Sequence, residues 1–405
     1  MAEHFRLLAR SEQAALLALP WTVPLEEWPP ALFVEVERGI GRHVVRFVQL
    51  GSGLYALKEV PPRIAQREYR LLLELEEDNV PAVEAEGIVS ERQSVAGEPL
   101  DSIVLTRYLE FALPYRIVLG RSVLPAPSPA MRSALAGLLV RLHLNGFFWG
   151  DCSLSNALFR RDAGALTAYL VDAETGELHG ELSDGQRSYD LDIAEENLVG
   201  ELYDLEAKLE RPVVDDPTAF VADVRERYEQ LWSELTRDEV FQVTEGHRLE
   251  ERLRRLNELG FDVDEVELVS DGGEVRLRLH QKVVEPGHHQ RRLMRLTGLD
   301  AQENQARRLL NDVTRYRAYL ERTGDKPVSD AAAAGRWLAE IFEPTIAAIP
   351  PELRGRRAAA ELFHELLEHR WFLSERAGKD VGFEVALPDY IETVLRPAAD
   401  EKLPL

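Results

Sequence analysis

The chain has one cysteine, Cys152, in 405 residues. A single thiol excludes an intramolecular disulfide and a cysteine-built zinc cluster, and it fits a reducing compartment, the cytoplasm. Long apolar runs are missing too, since no stretch approaches the roughly 20 residues of a membrane span. The opening MAEHFRLLARSEQAALLALPW lacks the pattern of a cleavable leader. Its apolar run from Ala14 to Leu19 stops at Pro20 and Trp21 and is expected to be a short amphipathic helix docked on the first domain. Positive charge is scarce: 48 Lys and Arg stand against 71 Asp and Glu, a formal net charge of −23. The average field of such a chain repels phosphate, so indiscriminate binding to nucleic acid or anionic membrane is disfavoured and any phosphate site must be local.

What is present is an ordinary globular composition, 45% hydrophobic and 29% charged, so nearly the whole chain is expected to fold. The length suits two main domains. From Phe33 to Val60, short β-rich runs broken by glycines predict three antiparallel strands, with Gly51-Ser52-Gly53 as a tight turn. Pro61 and Pro62 then open a helix, because the first helical turn tolerates proline. The apolar run SIVLTRYLE and a Pro-containing connection lead to a helix from about Pro129 to Leu144, whose apolar residues recur at three and four. FFWGDCSLSNALF, a buried strand ending LVDAE, an acidic helix SYDLDIAEENLVGELYDLEAKLE and a further helix ending near Leu235 come next. The character changes near residues 236 to 243. VFQVTEGHRLEERLRRLNELGF predicts a helix, Asp271-Gly272-Gly273 a hairpin turn, and about Gln290 to Leu395 a nearly all-helical remainder with breaks at Thr323 to Pro327 and Pro350-Pro351. The expected division is a helical extension over 1–30, a first domain over 31–236 and a second over 237–405.

The chemistry concentrates in the first domain. FFWGDCSLSN sets Asp151 and Asn156 five positions apart after a long helix, and the chain also offers Lys58, Glu68 and Asp172. A kinase-type phosphoryl-transfer site needs this set: a Lys for the α/β-phosphates, a helix Glu to hold it, a catalytic Asp, and an Asn and second Asp as metal ligands. Glu68 shares a helical stripe with Ala65, Leu72 and Leu75, and a buried carboxylate needs a partner, for which Lys58 is preferred over pairings through Glu59 or Glu74. Asp151 is the candidate base; Asn156, Asp172 and Glu174 are the candidate Mg²⁺ ligands. Gly39, Gly41 and Arg42, with His43, are candidates for the phosphates, although glycines serve hairpins equally well. Thr106 and Tyr108 are counted with the nucleotide-binding candidates. Cys152 is expected to pack as a small apolar group.

Two features of the second domain bear on possible sites there. His364-Glu365-x-x-Glu368-His369 departs from the zinc motif His-Glu-x-x-His because Glu368 takes the second histidine's place, so no metal site is expected. The stretch His288 to Arg317 is locally basic; it is either a solvated helical face or a surface for an anionic ligand or acidic partner.

The motifs RGIGRHVVRF, YALKE, AQREYRLL, GDCSLSN, VDAETGEL and YDLDIAEEN resemble the lipopolysaccharide-kinase (Kdo/WaaP-like) branch of the protein-kinase-like superfamily. With HHQRRLMRLTGL, QARRLLND and HRWFLSERAGKDVG, the chain resembles an actinobacterial family that fuses this domain to an uncharacterised C-terminal one. The resemblance, over about residues 20 to 400, implies an α+β bilobal protein-kinase-like fold, a β-rich small lobe and a helical large lobe, followed by a mostly helical domain with a β-hairpin. It implies ATP and Mg²⁺ as cofactors and an unidentified small-molecule or protein acceptor. Trp149 stands where kinases have a His that braces the metal loop. Ser153 replaces the Lys that steadies the γ-phosphate in protein kinases, and the segment from Asp172 to Asp190 is short for an activation segment. These departures point away from conventional Ser/Thr protein kinase chemistry and leave a nucleotide-binding pseudokinase as the second reading. Asp190 or Asp192 is expected to brace the catalytic loop from below.

Overall fold

The computed structural model describes residues 4–36, 43–51, 53–120, 127–236, 239–242, 261–263, 266–271, 274–279, 284–323 and 327–398. The chain divides into two compact units, one built from Met1–Arg160 and Thr167–Tyr228, the second from Arg161–Leu166 and Glu229–Lys402.

The first unit opens on a strand where a helical extension was expected. β1 (Arg6–Ala9) precedes the short helix α1 (Gln13–Leu17). After them come β2 (Val44–Leu50), β3 (Gly53–Val60), the helix α2 (Pro62–Glu77), β4 (Ala85–Ser90) and β5 (Ser102–Arg107). The five strands form one antiparallel sheet in the order β1-β4-β5-β3-β2. The first of the three strands expected between Phe33 and Val60 is reduced, among described residues, to a single bridge between Val34 and Phe47. Gly39, Gly41 and Arg42 lie outside the described residues.

Side chains alternate across β3, and the two faces of the sheet meet different covers. Tyr55 and Leu57 pack with Leu16, Trp21, Leu25 and Trp28 of the N-terminal segment. Both tryptophans satisfy their indole N–H locally, Trp21 on Leu16 O (2.7 Å) and Trp28 on Val23 O (3.0 Å), so they can be buried without an orphaned donor. On the opposite face Val60, Ile88 and Val104 pack with Ala65 of α2. Lys58 shares that face by its spacing from Val60, so Lys58 and α2 meet.

Then come β6 (Ala112–Pro114), α3 (Tyr115–Gly120) and α4 (Pro127–Leu144). β7 (Phe147–Phe148), β8 (Ala157–Asp162), β9 (Ala165–Leu170) and β10 (Glu177–Leu178) carry the loops of interest. The long helices α5 (Asp184–Leu209) and α6 (Pro217–Thr236) complete a helical lobe. Leu191, Ala194, Leu198, Leu202 and Leu205 of α5 are buried. Ser183 and Gln186 close a capping box at its start, which explains why the acidic helix begins so soon after Asp172.

In the second unit, Glu239–Gln242 is a strand where a helix was expected; it pairs with Glu274–Leu279, which pairs in turn with Val266–Asp271. The hairpin turn expected at Gly272-Gly273 and the remaining helix over 243–260 lie outside the described residues. The helices His288–Thr297, Glu303–Thr323, Asp330–Trp337 and Ala359–Ala377 bury Leu293, Leu309, Trp337, Phe342 and Phe363 in one core. The β8–β9 turn belongs to this unit: Asp162 accepts from the amides of Asn304 (3.1 Å) and Gln305 (2.8 Å), capping the helix Glu303–Thr323.

Candidate active site

Lys58 and Glu68 meet as the shared face of β3 and α2 requires. The Lys58 ammonium lies 3.2 and 3.3 Å from the two oxygens of Glu68, 2.7 Å from Asp172 Oδ2 and 2.9 Å from Glu174 Oε2. The competing acids go elsewhere. Glu59, on the other face of β3, accepts from the Leu25 amide and from the buried Arg92 guanidinium at 2.6 Å. His43 Nε2 adds a contact to Glu174 Oε2 at 3.0 Å.

One ammonium faces three carboxyl groups in a cluster largely withdrawn from solvent, and the charges perturb one another. Burial opposes the charge on Lys58, yet Glu68 and Asp172 outweigh it and its pKa is raised. Burial raises the pKa of Glu68; Lys58 opposes this and the negative charge of Asp172 adds to it. Ligand oxygens of Glu68, Asp172 and Glu174 lie within 4.8 Å of one another, a set of hard donors suited to a divalent cation. The donor chemistry of Asp172 and Glu174, two of the three expected ligands, fits Mg²⁺.

The candidate catalytic loop, Trp149 to Asn156, sits between β7 and β8. Asn156 Nδ2 donates to Asp151 O (3.1 Å) and Asp151 Oδ2 (3.2 Å), so its side-chain oxygen takes no part in those bonds. The Val171 amide donates to Asn156 O at 3.0 Å, which sets Asp172 beside Asn156 across β8 and β9. The Leu170 amide in turn donates to Pro81 O, and Val83 N to Leu170 O, so the strand delivering Asp172 is pinned just past the end of α2.

Of the two acids expected below the loop, Asp190 is the brace. It is fully buried and accepts from Trp149 N (2.8 Å), Gly150 N (2.7 Å) and His143 Nε2 (3.0 Å). His143 is held by Tyr228 OH at 2.8 Å. Asp192 instead pairs with Arg225 at the surface.

Trp149 was expected to remove a brace from the metal loop; the structure corrects this. Its buried indole N–H donates to Asp172 O at 3.1 Å, and its carbonyl accepts from Thr175 Oγ1 at 2.9 Å. The residue therefore ties the loop to the Asp172 segment by itself. That segment is short and folds back: β10 pairs with β7, and His179 N donates to Gly146 O at 2.9 Å. Gly146 is obligatory there, because it has φ +70 and a Cβ would lie 2.1 Å from His179 O. Ser153 is buried, and its hydroxyl accepts from the Asn156 amide at 3.2 Å, a turn cap.

Thr106 lies opposite Ala56 on the sheet, as Val104 lies opposite Lys58, which puts Thr106 on the Lys58 face. Tyr108 stacks edge-on against Phe47, 5.9 Å between ring centres, and Phe47 is opposite Ala56. Burial, then Glu110, pushes the Tyr108 phenol up to about 12, so it stays a neutral donor. Cys152 is fully buried, and burial ahead of Asp190 and Glu201 raises its thiol well above the ordinary range, so it packs and does not react. Sequence reasoning did not single out His143, Asn197 or Glu201. The signal was available for the last two: polar residues recurring with Asp190 along a helix whose neighbouring positions are leucines.

In the second unit, His369 Nε2 pairs with Asp389 at 2.6 Å, while Glu365 pairs with Arg357 and with Tyr390 OH (2.6 Å). His364 is buried, and among the described residues its Nδ1 meets no hydrogen-bond partner. The basic stretch is partly neutralised: His289 pairs with Glu303, and Arg292 and Arg317 both pair with Asp330.

A β-rich lobe carrying a Lys–Glu pair, a helical lobe carrying an Asp…Asn loop, and an acidic strand end between them define a protein-kinase-like domain followed by a helical region. Residues 230–395 match the family described as a domain of unknown function, DUF4032. Solved structures similar to the chain include one titled WaaP in complex with acyl carrier protein, at 19% identity and TM-score 0.35, over 56% of this chain and 99% of that one. Another is the BubR1 kinase domain, at 12% identity and TM-score 0.29, over 38% of this chain and 49% of that one. No curated protein matches the chain. Among the described residues, no helix is long and apolar enough to cross a membrane.

Proposed function

We propose that the first unit is an ATP- and Mg²⁺-dependent phosphotransferase of the lipopolysaccharide-kinase-like branch, acting in the cytoplasm on a small hydroxylated molecule. The observation that carries the reading is Lys58, 3.2 Å from Glu68 on one side and 2.7 Å from Asp172 on the other, which joins small-lobe and loop residues in one site. Glu68 holds Lys58 for the nucleotide's α/β-phosphates, and His43 offers an imidazole nearby. Thr106 and Tyr108 supply polar groups at the purine end, and Gly39, Gly41 and Arg42 are retained as phosphate-loop candidates. Asn156, Asp172 and Glu174 would hold Mg²⁺, which supplies charge neutralisation at the transferred phosphoryl group. Asp151 accepts the proton of the acceptor hydroxyl as its oxygen attacks the γ-phosphorus, whose bond to the bridging oxygen breaks to release ADP.

ATP consumption against a panel of hydroxylated metabolites tests this. Asp151→Ala should lower turnover by roughly 10²–10⁴, the usual contribution of a positioned general base. Turnover that is absent, or undiminished in both Asp151→Ala and Asp172→Ala, sinks the reading. One observation favours a pseudokinase: Ser153 is spent on capping its own loop and offers no cation to the γ-phosphate. On that reading the second domain engages a partner, and calorimetry shows ATP binding, unaffected by Asp151→Ala, without turnover.

A further inference from the structure

Asp190, Asn197 and Glu201 are spaced seven and then four residues along α5. At about 100° of turn per residue, all three fall within about 20° of one line on the helix. Along that line they meet the catalytic loop in chain order. Asp190 takes the amides of Trp149 and Gly150. Asn197 Nδ2 donates to Asp151 Oδ1 and to Cys152 O, each at 3.2 Å. Glu201 accepts from the amides of Leu154 and Ser155. Between buried leucines on α5, a row of polar groups thus matches the hydrogen-bonding groups of the loop one after another.

Asn197 differs from its neighbours in touching the base itself. Both groups it meets are acceptors, so its NH₂ must face them and the amide orientation is not ambiguous. The other carboxylate oxygen, Asp151 Oδ2, accepts from Asn156, but Asn156 is also a candidate metal ligand. Among the described residues Asn197 bonds only to Asp151 and Cys152, and it is not a candidate metal ligand. Asn197 thus holds the second oxygen of a carboxylate whose first is held by a residue that also answers to a cation.

We infer that Asn197 is a positioning residue: it holds the Asp151 carboxylate in one orientation against the loop, and Glu201 fixes the loop backbone just beyond it. The consequence for turnover rests on the phosphotransferase reading; the consequence for the Asp151 side chain does not. The test therefore has two arms on the full chain. Crystal structures of wild type and Asn197→Ala should show Asp151 in one rotamer and in several, respectively, with the backbone from Trp149 to Asn156 unmoved. With ATP, Mg²⁺ and an acceptor identified by the metabolite panel, or water, ADP release by Asn197→Ala should lose roughly 10–100-fold in kcat, as small misplacements of a reacting group do. KM for ATP should stay within about two-fold, and adding Asn197→Ala to Asp151→Ala should cost nothing further, because the two act as one unit. Asn197→Leu, which keeps volume and removes the donor, gives the same readouts if the alanine variant does not fold. An unmoved Asp151 in the variant overturns the inference, and so does a loss that adds fully to Asp151→Ala. A wild type that consumes no ATP sinks the phosphotransferase reading alone, and the crystallographic arm still decides Asn197.

Discussion

Two clusters of ionisable side chains in this molecule use similar residues to opposite ends. Around Lys58, three carboxylates from α2 and the Asp172 segment converge on one ammonium. On the helix Ala359–Ala377, Glu361, His364, Glu365 and His369 stand far closer together in sequence, but each goes its own way. Glu361 accepts from the Ala163 amide and Gln305, Glu365 from Arg357 and Tyr390, and His369 meets Asp389. Convergence leaves surplus charge that a ligand can satisfy. Dispersal leaves each group spent on local structure. Residue type therefore says little about function until the partners are known.

Lys58→Met should break the comparison most visibly. Removing one partner of a buried pair costs roughly 3–5 kcal/mol, so the first unit should melt at a markedly lower temperature. Added Mg²⁺ should restore part of the loss, since a cation answers the same surplus. A variant that melts like wild type would mean the three acids do not depend on Lys58. Asp190→Ala comes next: it strands two loop amides and His143, at about 1–3 kcal/mol for each buried group left unsatisfied, read by chemical denaturation.

The dispersed cluster has its own signature in pH. Burial, followed by Arg308, holds His364 down to about 4, so the native unit stays neutral there while the unfolded chain takes a proton below about 6.5. Its contribution is complete above about 6.5 and is lost as pH falls toward 4. Burial, followed by Glu365, pushes Glu361 up to about 7, so its contribution is complete below the ordinary carboxylate range and is lost as pH rises through 7. The two slopes oppose each other, at about 1.4 kcal/mol per pH unit each, and the second unit's stability should be nearly flat between them. Glu361→Gln should expose a loss on acidification, and His364→Leu a loss on alkalinisation. Identical pH profiles for both variants would refute the pairing. Asp192→Asn should move stability by no more than about 0.5 kcal/mol, because its pairing with Arg225 is exposed. The contrast with Asp190, two residues away, measures what burial adds.

The local elements of the site were legible because their signals are local. Proline opened α2 where expected, and the glycine-flanked strand brought Lys58 to its place. Other elements were missed for equally physical reasons. β1 is only four residues long and has no alternation of apolar and polar residues to announce it; it is paired along its length with β4. The strand at Glu239–Gln242 was read as the start of the following helix, but Val240 and Phe241 favour a strand and it pairs with Glu274–Leu279. Trp149 looked like a loss when compared with a kinase histidine, since nothing local shows that an indole N–H reaches Asp172 O.

By itself the sequence determined which residue types were available and which stripe of each helix or strand they occupy, because periodicity along the chain sets facing. That was enough to pair Lys58 with Glu68 across one sheet face and to set Asp151 and Asn156 on one loop. Only the tertiary structure decided between Asp190 and Asp192, recruited Asn197 and Glu201 to the loop, and drew Glu174 onto Lys58 and His43. Those choices depend on which polar group is left buried and in need of a partner once distant segments have packed, and spacing along the chain carries no record of that.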